Sequence, residues 1–172
     1  VSPYHHAPMS KTHSPQLQPN TLLPHLVDPG KMAEQSAQLV LRTPLAAFKR
    51  LREVTLSDAG EASVQLAFHR DARGVPNLRG VITAVVEQTC QRCMNSVAVS
   101  LEANVNVFLL SDEAYADKLS EDDDYVVFDD DRLDLPGLIE DELIMSLPLV
   151  ARHEDCQPQA ALTVLPEADD EP

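Results

Sequence analysis

Gln88-Thr89-Cys90-Gln91-Arg92-Cys93-Met94 lies between the two longest strand-like runs of the chain, and its reading decides the fold. Before it, Leu78, Gly80, Ile82, Ala84 and Val86 alternate with Arg79, Val81, Thr83, Val85 and Glu87. After it, Val97, Val99, Leu101, Ala103, Val105, Val107 and Leu109 occupy every second position, with Ser96, Ser100, Glu102, Asn104 and Asn106 among the residues between them. A period of two belongs to a strand with one face buried and one in water. Two such runs joined by a short polar connection predict an antiparallel hairpin with a Cys-x-x-Cys turn at its tip.

Working outward, residues 62–69 alternate again, with Val64, Leu66 and Phe68 on one face. Ser57-Asp58-Ala59-Gly60 before them and Asp71-Ala72-Arg73-Gly74-Val75-Pro76 after them are turn chemistry. These signals predict a meander of four antiparallel strands over 51–55, 62–70, 76–89 and 95–110. A short helix is expected over 31–39, a further turn or helix start at 43–48, and a short acidic helix over 111–120. Tyr125-Val126-Val127-Phe128 reads as a short strand between two aspartate runs. Those runs lack the Asp-x-Asp-x-Asp-Gly spacing of a calcium loop and read as solvated acidic loops.

Residues 134–147 have helical spacing. Asp134 caps the first turn and Pro136 is tolerated near a helix start. Leu135, Leu138, Ile139, Leu143, Met145 and Leu147 supply the apolar face, while Glu140 and Asp141 are expected to face water. Glu140, Asp141 and Glu142 are then the carboxylates through which this helix would meet a basic partner. No nucleophile or histidine accompanies them in the helix, so they do not read as a general acid/base pair. The fold class is α+β: an antiparallel meander, open or curled into a partial barrel, covered by this C-terminal helix.

The chain of 172 residues is long enough for one domain with a core, expected over 22–157. A proline-rich stretch over 1–21 and an acidic, proline-containing one over 158–172 read as tails. No apolar run is long enough to span a membrane, and the first twenty residues lack the apolar stretch of a signal peptide. Three cysteines, two of them only three positions apart, do not suggest a secreted disulfide framework, so a reducing cytoplasm is expected.

Charge is segregated. Residues 1–100 hold ten Lys/Arg and seven Asp/Glu, whereas 101–172 hold three and twenty-one, within a net charge of −15. So acidic a chain is a poor bulk binder of nucleic acid. Its strand-rich half could still present one basic face, for which Arg50, Arg70, Arg73, Arg79 and Arg92 are the candidate RNA contacts. Few aromatics accompany them, so base stacking is poorly supported.

Three blocks resemble a known family. Leu23-Pro24-His25-Leu26-Val27-Asp28-Pro29-x-Lys31-x-Ala33 resembles its N-terminal block, and Glu87-Gln88-Thr89-Cys90-Gln91-Arg92-Cys93 its central one. Ile139-Glu140-Asp141-Glu142-Leu143-Ile144-Met145-Ser146-Leu147-Pro148-Leu149-Val150-x-x-His153 resembles its C-terminal one. Together they resemble the bacterial large ribosomal RNA subunit accumulation protein (YceD-like) family, from about residue 22 to 156. The resemblance implies a non-enzymatic role in accumulation of 23S rRNA. Its implied partners are that RNA or its precursor and large-subunit ribosomal proteins, with no membrane and no small-molecule substrate. The family's lysine-containing C-terminal end is not evident in this sequence.

Cys90-x-x-Cys93 with His153-x-x-Cys156 has the residue types and pair spacings of a tetrahedral zinc site. The competing reading is a set of reduced thiols at a tight turn. A thioredoxin-like motif fits less well, because there the Cys-x-x-Cys opens a helix, and here a strand follows. Two rival functions therefore stand beside the rRNA reading. One is an acidic chaperone or adaptor for a basic ribosomal protein, and the other a small zinc- or thiol-based redox protein.

Overall fold

The computed structural model describes residues 22–158, so the tail expected over 1–21, and all but the first residue of the one expected over 158–172, lie outside the described residues. A two-residue strand β1 (Leu26–Val27) leads into helix α1 (Pro29–Glu34), whose first turn is capped by Asp28 accepting from the Lys31 N–H at 3.0 Å. Strands β2 (Gln38–Pro44), β3 (Glu61–Arg70), β4 (Pro76–Thr89) and β5 (Ser96–Leu110) form an antiparallel meander. The short helix α2 (Lys49–Glu53) lies in the connection from β2 to β3. After a 3-10 segment at Glu113–Lys118, strand β6 (Tyr125–Val127) adds to β5 in parallel and forms an edge of the five-stranded sheet. Strand β7 (Leu133–Asp134) pairs with β1, and helix α3 (Leu135–Met145) follows at once. The architecture is α+β with an open, mostly antiparallel sheet rather than a closed barrel.

The hairpin and its face assignment follow the period-two pattern. β4 and β5 pair from Asn77↔Phe108 to Thr89↔Ser96. Val97, Leu101, Ala103, Val105, Val107 and Leu109 are buried, and Val99 is half-buried. At the far end Phe108 and Leu110 are buried as well, and the guanidinium of Arg73 lies 4.9 Å above the Phe108 ring. Leu135, Leu138, Ile139 and Leu143 of α3 join the same core.

Four sequence expectations are corrected. The first strand of the meander is β2, not 51–55. Leu39, Leu41 and Thr43 alternate inward there, and the helix expected over 31–39 stops at Glu34 to let that strand begin. Residues 49–53 are instead helical and bury only Leu51. Met145 is 69% exposed, because the 3.6-residue period that turns residues 135, 138, 139 and 143 inward carries position 145 to the outside. Glu140 does not face water but is 8% exposed. Its carboxylate accepts from the backbone N–H groups of Arg50 at 2.5 Å and Leu51 at 3.1 Å and from Arg50 Nε at 2.9 Å. Helix α2 has no cap of its own, so α3 supplies one and locks the two helices together.

Gly80 sits where β3, β4 and β5 meet, opposite Leu66 on one side and Val105 on the other. Its φ is +153°, and a Cβ there would lie 1.9 Å from the Gln65 carbonyl oxygen. Gly80→Ala is therefore expected to cost roughly 2–3 kcal/mol, by forcing the β3 backbone away. Urea unfolding checks this, and an unchanged midpoint would contradict the β3–β4 register.

Candidate metal centre

The last rungs of the hairpin run past the main core. Cys90, Val97 and Ala151 make a separate small apolar cluster, with Cys93, Val99 and Cys156 packed against it. A two-stranded tip with so little of its own to bury needs another tether. Part of that tether is backbone. Cys90 N–H donates to Asn95 O at 2.8 Å and Met94 N–H to Cys90 O at 2.9 Å, with Met94 in the left-handed region at φ +61°. The Gln91 N–H reaches across to Ala151 O at 2.9 Å and draws the segment leaving α3 alongside the tip.

That segment brings His153 and Cys156 to Cys90 and Cys93. One ligand atom from each of the four residues lies within 4.8 Å of all the others. Cys90 Sγ and Cys156 Sγ are 3.7 Å apart, and Cys93 Sγ and His153 Nδ1 3.4 Å apart. Zn–S bonds near 2.3 Å and Zn–N bonds near 2.0–2.1 Å give tetrahedral edges of about 3.8 Å between sulfurs and about 3.5 Å between sulfur and nitrogen. Both separations fit such a tetrahedron, and a Cys3His donor set suits zinc in chemistry as well as in size. No disulfide joins these cysteines.

The electrostatics favour a thiolate at Cys90. The Cys90 thiol is lowered from 9.0 to about 5, chiefly by the backbone N–H of Cys93, with His153 and Arg92 also donating and burial opposing. For Cys93 the Asn95 N–H pulls down, but burial and the neighbouring sulfurs of Cys90 and Cys156 outweigh it and raise the thiol. Two adjacent sulfurs that cannot both ionise easily are what a cation at their centre relieves. Three thiolates around a divalent ion leave one negative charge over, and Arg92 is placed to offset it. Its Nε donates to Cys156 Sγ at 3.0 Å, and its Nη2 to the carbonyls of His153 at 2.9 Å and Glu154 at 3.0 Å. As a candidate RNA contact, Arg92 would have to stand free at the tip. It is instead half-buried, because the 153–156 segment folds over it. The Cys-x-x-Cys turn runs from strand to strand, with β5 rather than a helix after it.

The other arginines are spread around the molecule. Arg50 is held by Glu140 and Asp141 at 2.9 and 2.5 Å. Arg70 reaches Glu34 at 3.3 Å and Gly74 O at 2.7 Å, and Arg73 pairs with Asp71 at 2.6 Å and Asp123 at 3.3 Å. Arg79 stands on the open face of the sheet, where Nε donates to the neutral Asn106 Oδ1 at 2.9 Å. Of the three carboxylates expected to meet a partner, Glu140 and Asp141 are engaged by Arg50, while Glu142 is half-buried beside a groove. Sequence reasoning did not find that groove, which runs between the β6 edge and the outer side of α3. Its signal was the pairing of exposed Val127 and Met145 with the acidic runs around them.

A family profile described as "Large ribosomal RNA subunit accumulation protein YceD" matches residues 78–171. The large ribosomal RNA subunit accumulation protein YceD of Haemophilus influenzae is 32% identical over 151 residues, covering 84% of this chain and 87% of that protein. No solved structure matches the chain.

Proposed function

Because the chain belongs to the large ribosomal RNA subunit accumulation protein (YceD) family, we propose that it is a non-enzymatic factor promoting accumulation of 23S rRNA in the bacterial cytoplasm. The observation that carries this reading is the extent of the similarity. It spans 84% of the chain, so it takes in the sheet as well as the hairpin tip. The cluster of Cys90, Cys93, His153 and Cys156 supports a structural zinc ion that holds the tip to the segment after α3. Four protein ligands close a tetrahedral shell and leave no position for substrate, as suits a structural site rather than a catalytic one.

Contact with 23S rRNA or its precursor would draw on cations not consumed inside the fold. Arg79 is the clearest of these, since among the described residues its guanidinium meets only an amide. Arg70 is a second, since its ion pair with Glu34 lies at the surface and contributes little. The test is complementation in a bacterium lacking its own family member, with 23S rRNA measured relative to 16S. The chain is expected to restore the 23S level, and Arg70→Glu with Arg79→Glu to restore it only in part. Failure of the unaltered, stably expressed chain to raise 23S rRNA would overturn the reading.

A further inference from the structure

The groove between β6 and α3 has a volume of about 930 Å³. Its apolar lining includes side chains that a folded chain ordinarily covers: Leu26 is 55% exposed, Val127 42% and Met145 69%. Its charge is one-sided. Asp129, Asp130, Asp134, Asp141 and Glu142 line it against Arg50 and Arg132, and Arg50 is already held by Glu140 and Asp141. Burial raises the Glu142 carboxyl, and the charges of Asp124 and Asp141 raise it further, so negative potential here lacks compensation within the fold. An apolar floor under an acidic rim is the complement of a cationic amphipathic polypeptide. It repels a nucleic acid backbone.

We propose that this groove docks a Lys/Arg-rich protein segment, with apolar anchor side chains entering between Val127 and Met145 and the cations meeting the carboxylate rim. The proposal goes beyond the rRNA reading and is separable from it, because it is read on the purified protein whatever complementation shows.

The probe is a fluorescent amphipathic peptide built from Leu and Lys, with its Leu/Glu counterpart as control, titrated into the full chain at physiological salt. Saturable binding of the Lys peptide alone is expected, with amide-exchange protection rising over 125–129 and 137–145. Asp129→Lys with Glu142→Lys should weaken it about tenfold, and so should Val127→Ser with Met145→Ser. Those four side chains are at or near the surface, so both variants should fold as the parent does. Glu87→Lys with Glu102→Lys makes the same charge change on the open sheet face and should leave affinity within about twofold. Equal weakening by that control, or equal binding of the Leu/Glu peptide, would overturn the proposal. So would protection appearing elsewhere, competition by single-stranded RNA at the groove, or groove protection that grows with protein concentration without peptide.

Discussion

Changing Cys90 and Cys93 together to serine is expected to take bound zinc from about one equivalent to none and to lower the thermal midpoint by roughly 10 °C. Both cysteines are on the hairpin turn, and neither belongs to the main core of Leu78, Ile82, Leu101 and Leu109. The sheet should therefore survive, and the loss should be local. Amide exchange should quicken first at Gln91, whose N–H holds Ala151 O, and along 151–156. Acid should mimic the variant. Zinc needs its sulfurs deprotonated, and the Cys93 thiol is raised above its ordinary value, so protons compete for that sulfur over the whole neutral and acid range. Affinity must therefore fall steadily as pH drops, more steeply once Cys90, lowered to about 5, also takes up a proton. Elemental analysis of protein purified without a histidine tag, together with the melting curve, checks both expectations. A double variant that melts with the parent would mean that the tip is held by its backbone bonds and packing alone.

Val105→Asp is expected to destabilise the protein by roughly 4 kcal/mol or more. Val105 is 3% exposed and lies opposite Gly80 within the longest strand pair. None of the buried positions around it offers a cation, so an aspartate there must either ionise unpaired or take up a proton. The neighbouring Asn104→Asp, on the open face, places the same carboxylate in water and should cost little. Urea unfolding of the two variants side by side checks the assignment, which equal midpoints would contradict.

The strands on either side of Cys90 were legible because a period of two and a polar turn are local signals. The parity from Val97 to Leu109 needed no knowledge of the rest of the fold. Helix α3 was legible for a similar reason: Asp134 caps it, accepting from the Gly137 N–H at 3.2 Å, and its apolar spacing is regular. What stayed hidden depends on distant partners. Strand β2 reads weakly alone and is fixed by pairing with β3 from Gln38↔Ala67 to Pro44↔Glu61. The parallel pairing of β6 with β5 leaves no mark in either segment, because a return connection carries it. Glu140 looks like a surface helix residue until Arg50 and Leu51, about ninety positions earlier, present their N–H groups to it. At the candidate metal centre the residue types and pair spacings were legible. The separations of 3.7 and 3.4 Å, and the inward turn of Arg92, depend on how the last segment folds back.

X-ray absorption at the zinc edge on the full chain, purified without a histidine tag in zinc-containing medium, tests most directly whether the hairpin tip is held by metal. The four-residue cluster predicts one bound ion with three sulfurs at about 2.3 Å and one nitrogen at about 2.0–2.1 Å. Protein that carries no zinc, or zinc in a shell of oxygen and nitrogen only, would contradict it.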